Sequence, residues 1–157
     1  MSMKLFHSMA AIGLAMALVG CDAPQSQLKT HDDMLALDSH LDTPLVLDRA
    51  GFDISHRHDW MQDYAQVDLP RMIEGGLDGG FWVIYTAQGP LTEQGYAKAL
   101  AHARQRSVLI DEMVSNLSDD FALALQADEA VRIAASGKRV VYKSIENAYP
   151  LGTNIDL

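Results

Sequence analysis

The sequence contains few of the residues that cross-link a chain or bind nucleic acids. Among its 157 residues there is a single cysteine, so no intramolecular disulfide can form. Lysine and arginine number only 12 against 21 acidic residues, and the formal charge is −9. Because phosphate contacts need basic side chains, this balance makes nucleic acid a poor partner. There is also no basic run, no low-complexity segment and no repeat of the kind that builds a solenoid.

The N-terminal segment, residues 1–21, has the features of an export signal. Lys4 precedes an apolar stretch from Met9 to Gly20, which is shorter than the roughly 20 apolar residues that span a bilayer. The stretch ends in Leu-Val-Gly-Cys, which resembles the lipobox of bacterial lipoproteins. That resemblance implies a lipid on Cys21, a lipid-anchored protein of the cell envelope and a domain facing the periplasm. The alternative is a plain secretory signal with an incidental cysteine.

The remainder of the chain divides into a linker and a domain. Residues 22–33 are polar and are expected to form a short tether. Residues 34–157 are expected to form one globular domain, because apolar residues make up 48% of the chain and can supply a core.

Short apolar runs separate helical patterns along this domain, which predicts parallel strands buried on both faces. The expected strands are residues 34–39, 80–86 and 139–145. Between the last two, residues 92–116 carry apolar side chains at spacings of three and four, as in a long helix. Shorter helices are expected after Asp68 and over residues 128–136, and residues 121–125 form one more short apolar run. The pattern predicts an α/β fold with a parallel sheet.

Three side chains that bind metals are expected at the carboxyl ends of these strands. His40 and Asp42 follow the first strand, and Glu146 follows the third. In extended backbone, residues two apart point to the same side, so one imidazole and one carboxylate can reach a single cation. Parallel strands end at one edge of the sheet, where chemistry gathers in such folds. A His-x-Asp pair is nevertheless common by chance, and an ordinary turn is the alternative.

Other polar residues near these positions have simpler explanations beside a functional one. Asp38 either orients the imidazole of His40 or bonds to backbone. The His-Arg-His stretch from His56 to His58 is expected to be a solvated loop. Lys143 lies three residues before Glu146, so alternation points it to the opposite face of the strand, toward the helices.

Three motifs in order resemble the membrane dipeptidase (renal dipeptidase) family, whose members are zinc-dependent dipeptidases on a TIM-like barrel. They are LALDSHLDTPL, then VDLPRMIEGGLDGGFWVIY, then SGKRVVYKSIENAYPLG. The resemblance implies that His40 and Asp42 ligate one zinc ion and that Glu146 bridges two. It implies a partial (β/α)8 barrel containing the first three or so βα units. A complete barrel takes about 250 residues, so we expect the N-terminal part of a longer enzyme.

The activity implied by the resemblance is zinc-dependent hydrolysis of dipeptides, with a homodimer as an additional expectation. The remaining ligands of the family lie on later strands, so the 157 residues alone are expected to be inactive. Two alternatives stay open at this point. One is another amidohydrolase-like hydrolase on the same barrel, and the other is a periplasmic solute-binding lipoprotein.

Overall fold

A computed structural model describes residues 31–153, which form a parallel sheet with a long helix packed on one face. The export signal, Cys21 and most of the proposed tether lie outside the described residues. The strands are β1 (Leu37–Leu41), β2 (Gly79–Tyr85), β3 (Phe121–Leu123) and β4 (Arg139–Glu146). The helices are α1 (Trp60–Asp63), α2 (Leu69–Glu74), α3 (Glu93–Asn116) and α4 (Glu129–Ala135). Three 3-10 turns complete the described elements: His31–Asp33, Thr43–Leu45 and Tyr149–Leu151.

The sheet confirms the predicted α/β fold and adds one strand to it. All neighbouring strands are parallel, in the order β1-β2-β4-β3. The sequence predicts β3 only as a short apolar run, because three residues are too few to show a strand pattern. It pairs with the outer side of β4, so β4 lies between β2 and β3.

The first strand begins later than the sequence predicts. β1 covers Leu37–Leu41 rather than residues 34–39, so His40 lies inside the strand and not beyond it. The reason is that Met34 and Leu35 are apolar but largely exposed, and the pairing with β2 starts only at Leu37. The register between β1 and β2 is irregular between Asp38 and Leu41, close to the histidine.

Two glycines at the start of β2 allow the strands to approach closely. A Cβ atom on Gly80 would lie 2.3 Å from the Asp38 carbonyl oxygen of β1. A Cβ atom on Gly79 would lie 2.1 Å from the Val140 carbonyl oxygen of β4. Real Cβ atoms do not tolerate such distances. β1 and β4 can therefore pack this closely against β2 only because positions 79 and 80 have no side chain.

The long helix α3 covers the helical face of the sheet. Thr92 caps its N-terminus, because the Thr92 hydroxyl accepts a hydrogen bond from the Gly95 N–H at 3.1 Å. Its buried side chains pack on Trp82 of β2 and Val141 of β4 in one apolar cluster. They are Ala103, Ile110 and Met113. No helix of residues 31–153 is long and apolar enough to cross a membrane.

Candidate metal centre

The structure brings His40, Asp42 and Glu146 together at the carboxyl edge of the sheet. The Nε2 atom of His40 lies 3.4 Å from Oδ1 of Asp42 and 3.3 Å from Oε2 of Glu146. One ligand atom from each side chain lies within 4.8 Å of the others. The positions of the three residues at strand ends predict that they lie close together. They do so although β2 lies between β1 and β4 in the sheet.

The backbone places Glu146 by the register of the sheet. Glu146 is the last residue of β4 and pairs with Tyr85, the last residue of β2. Asn147 follows with φ of 71°, a left-handed conformation that asparagine tolerates better than most residues. Its side-chain amide donates a hydrogen bond to the Thr86 carbonyl at 2.9 Å. The ends of β2 and β4 are therefore tied to each other directly beside the carboxylate.

The donor set fits a small divalent cation such as zinc. It offers one imidazole nitrogen and carboxylates from two residues, which are ligands that zinc accepts. Tetrahedral ligands at roughly 2.0–2.1 Å from zinc are separated by roughly 3.3–3.4 Å, close to the two His40 separations. In the described part of the chain, neither Asp42 nor Glu146 pairs with a lysine or arginine. The negative charge of this site is therefore not neutralised by a basic side chain.

The three side chains are also open to substrate and solvent. The exposed fractions are 48% for His40, 57% for Asp42 and 45% for Glu146. His40 and Asp42 line a cavity of about 180 Å³. No signal in the sequence marks its far wall, which comes from the loop after α1 and contains Tyr64, Gln66 and Val67.

Asp38 stabilises the backbone of the histidine. Its Oδ1 atom accepts a hydrogen bond from the His40 N–H at 2.8 Å. This contact corresponds to the second of the two roles considered from the sequence, a carboxylate bonded to backbone. This hydrogen bond lies where the register between β1 and β2 is irregular, between Asp38 and Leu41.

The other candidate ligands are engaged elsewhere. Both ring nitrogens of His58 face hydrogen-bond acceptors, Nδ1 at 2.6 Å from the Asp63 carboxylate and Nε2 at 2.8 Å from the Asp53 carbonyl. Lys143 faces α3, where its Nζ lies 2.6 Å from Asp111 and 2.9 Å from the Ser107 hydroxyl. This contact confirms the direction that strand alternation predicts for Lys143.

Comparison with known proteins identifies the family. The model of the membrane dipeptidase family, peptidase family M19, matches residues 25–157. The chain belongs to the membrane dipeptidase family. This M19 chain is 29% identical over 109 residues to dipeptidase tcpJ of Claviceps purpurea (strain 20.1), a match that covers 66% of the chain and 25% of the relative.

Solved structures of M19 dipeptidases share the fold. The probable dipeptidase PvdM from Pseudomonas aeruginosa superposes with a TM-score of 0.67 at 25% identity, over 78% of this chain and 30% of PvdM. The dipeptidase AC, a metallopeptidase of family M19, gives 0.64 at 26% identity, over 78% and 38%. A metallopeptidase from Rhodobacter sphaeroides, liganded with a phosphinate mimic of the dipeptide L-Ala-D-Ala, gives 0.61 at 23% identity, over 78% and 41%.

The likeness covers a part of each relative. This chain spans a quarter of the length of the curated relative and 30–41% of the lengths of the three solved structures.

Proposed function

We propose that this chain contributes His40, Asp42 and Glu146 as zinc ligands to an enzyme that hydrolyses dipeptides. The observation that carries the proposal is the placement of three donor atoms within 4.8 Å of one another, in an M19 chain. The dipeptide mimic bound to the Rhodobacter sphaeroides metallopeptidase supports a dipeptide as the substrate.

Each of the three side chains has a defined part in this proposal. His40 presents Nε2 to the centre while Asp38 holds its backbone N–H. Asp42 supplies a carboxylate from the first residue beyond β1, where the chain turns. Bound zinc supplies a Lewis acid that polarises the scissile carbonyl and lowers the pKa of an attacking water. The half-exposed side chains leave room for the substrate at this edge.

A centre with two zinc ions is the finer form of the proposal. The carboxylate of Glu146 has two oxygens, and Oε2 is the one near His40. The other oxygen of Glu146 would help to hold a second ion. Membership of the membrane dipeptidase family favours a dipeptidase over a solute-binding lipoprotein, which the export signal and the α/β pattern would also fit.

Substitution of Glu146 by glutamine tests the proposal. Glu146→Gln keeps the size of the side chain and removes its charge, so we expect zinc affinity to fall by at least about tenfold, since even residues that support a ligand contribute that much. In a complete enzyme that contains this chain, dipeptide hydrolysis should fall with it. Zinc affinity is measured by competition with a chromophoric chelator.

Lys143→Gln is the matched control for this substitution. Lys143 lies on the same strand but contacts Asp111 of α3 on the opposite face. Its replacement should lower zinc affinity far less than Glu146→Gln does, whereas an equal loss in the two variants would make Lys143 a ligand as well. Unchanged zinc binding in Glu146→Gln would overturn the assignment of this residue.

We also propose that the protein is exported and anchored in the cell envelope by a lipid on Cys21. The support is the sequence of residues 1–21, with Lys4, the apolar stretch and the Leu-Val-Gly-Cys ending. A lipid of this kind would hold the domain near the membrane through the polar residues 22–33. The mass of the mature protein checks this, since an unmodified Cys21 contradicts it.

A further inference from the structure

Arg106 of α3 joins the helix to the segment that directly follows the His-x-Asp pair. Its Nη1 atom donates hydrogen bonds to Oδ1 of Asp48 at 2.6 Å and to the Pro44 carbonyl at 3.1 Å. Its Nη2 atom donates to Oδ2 of Asp48 at 2.7 Å. The Arg106 side chain is only 12% exposed, whereas Asp48 is 35% exposed, so the guanidinium side of this two-pronged contact is largely shielded from solvent.

The segment held by Arg106 determines where Asp42 lies. The Asp42 carbonyl accepts a hydrogen bond from the Leu45 N–H at 2.9 Å, and the Thr43 carbonyl accepts one from the Val46 N–H at 3.0 Å. Asp42 is thus the first residue of a tight 3-10 turn that contains Pro44. A displacement of the Pro44 carbonyl would rotate this turn and move the Asp42 carboxylate with it.

The same turn of α3 also contacts the strand that carries Glu146. Ser107, the residue after Arg106, accepts a hydrogen bond from Lys143 of β4 at 2.9 Å. Asp111, one turn further along, pairs with the same Lys143 at 2.6 Å. One stretch of helix therefore contacts both the turn after β1 and the strand β4, which supply the two halves of the ligand set.

We propose that Arg106 is a positioning residue that sets the place of Asp42 relative to Glu146 and thereby the zinc affinity of the centre. The inference rests on the proposed function. Arginine suits this role because its planar guanidinium bonds a carboxylate through two nitrogens and still reaches a carbonyl. A lysine at position 106 keeps the charge but has a single nitrogen. It therefore cannot bond both oxygens of Asp48 through two nitrogens.

The test compares Arg106→Lys with a matched control at the other end of the sheet. Arg139, at the start of β4, is 13% exposed and lies 3.7 Å from Asp78. It also donates to the Leu77 carbonyl at 2.9 Å, so like Arg106 it has a carbonyl and a carboxylate as neighbours, although its carboxylate is farther away. Arg139→Lys is therefore the same substitution at a largely buried arginine far from the ligands.

Two measurements separate positioning from general stability. The first is the zinc dissociation constant of the whole protein, by competition with a chelator. The second is amide hydrogen exchange in the metal-free protein, read at Leu45 and Val46 of the turn and at the paired residues of β2 and β4.

In Arg106→Lys we expect zinc to bind about tenfold more weakly, at the lower end of the range for residues that support a metal ligand. The Leu45 and Val46 amides should exchange faster, while those of β2 and β4 exchange as in the unaltered protein. In Arg139→Lys, zinc affinity and exchange at the turn should both be unchanged. If Arg106→Lys does not fold, Asp48→Asn, which keeps one acceptor, takes its place. It should weaken zinc binding and speed exchange at Leu45 and Val46 in the same way, but to a smaller extent.

The results distinguish failure of this inference from failure of the proposed function. If Arg106→Lys binds zinc as tightly as Arg139→Lys while Glu146→Gln loses zinc, the positioning role is wrong and the metal centre stands. If the unaltered protein binds no zinc, or Glu146→Gln binds as well as it does, both the centre and the role of Arg106 are overturned.

Discussion

At the scale of single residues, His40 and His58 show two different uses of an imidazole. His40 is half exposed, and its Nε2 atom lies within 3.4 Å of one oxygen of Asp42 and one of Glu146. His58 is 9% exposed, stacks on Phe52 with ring centroids 4.4 Å apart, and bonds Asp63 and the Asp53 carbonyl. Both partners of His58 are acceptors, so the doubly protonated ring satisfies both. His58 therefore stabilises the loop before α1.

The surroundings of His58 also change its pKa. Burial lowers the pKa of His58, but hydrogen bonds to the Asp53 carbonyl and the Asp63 carboxylate outweigh it, and the net pKa lies above 6.5. The folded state then binds a proton more tightly than the unfolded state does. This contribution to stability is fully present below pH 6.5 and is lost as pH rises through the folded pKa.

We predict that the free energy of unfolding falls as pH rises above 6.5 through the folded pKa of His58, and that His58→Gln makes this fall smaller. Urea unfolding at a series of pH values measures it. His56→Gln is the matched control, since His56 lies in the same loop, is 77% exposed and contacts Asp53 at 3.2 Å. Equal pH dependence in the two variants would contradict the role given to His58.

At the scale of elements, Asp68 determines where helix α2 begins. Its carboxylate is fully buried and accepts hydrogen bonds from the Arg71 N–H at 2.9 Å and the His58 N–H at 2.8 Å. Arg71 Nε donates a third hydrogen bond at 2.6 Å. The Asp-Leu-Pro-Arg motif predicts the cap, while the contact with His58 joins α2 to the loop before it.

Asp68→Ala should lower the free energy of unfolding by roughly 3 kcal/mol, because a helix cap and two further hydrogen bonds to a charged group are lost together. Thr92→Ala, at the exposed cap of α3, should lower it by only about 1 kcal/mol. Chemical denaturation of both variants measures the difference. Equal losses would show that the buried contacts of Asp68 add nothing to its cap.

The pKa of the Asp68 carboxyl follows from the same contacts. Burial raises the pKa, but the N–H groups of His58 and Arg71 and the Arg71 guanidinium lower it further, to a net value below 3.8. The stability that Asp68 contributes is therefore present above pH 3.8 and is lost as pH falls through the lower, folded pKa.

At the scale of the whole molecule, the described sheet has two free edges and an exposed inner face. β1 and β3 each pair on one side only within residues 31–153. Phe81 stacks on Tyr142, with ring centroids 5.1 Å apart, yet remains 41% exposed. On the opposite face, Ile145 is 53% exposed. In a closed barrel such positions are covered by further strands and helices.

We predict that the 157-residue chain by itself does not hydrolyse dipeptides. The described residues bring one imidazole and two carboxylates to the centre, which is fewer than two zinc ions require. A dipeptide hydrolysis assay with added zinc checks this, with an M19 dipeptidase as positive control. Turnover by the chain alone would contradict the proposed two-zinc site.

The features that the sequence predicts well are those with local signals. The span of α3 is predicted to within a residue, because the Thr92 cap and the apolar spacing mark it. The start of β1 is predicted too early, because Met34 and Leu35 are apolar without being buried. β3 is not recognised as a strand, since its identity depends on pairing with β4 and not on its own three residues.

The amino-acid sequence is enough to indicate the family, the parallel α/β fold and the three residues of the candidate centre. Motifs, caps and strand ends are local, so they can be read without coordinates. The side chains that surround the centre become known only from the packed molecule. Arg106 lies far from Asp48 in the chain, and no motif around either residue predicts their contact. Such a contact depends on how α3 packs against the sheet, which no short stretch of sequence specifies.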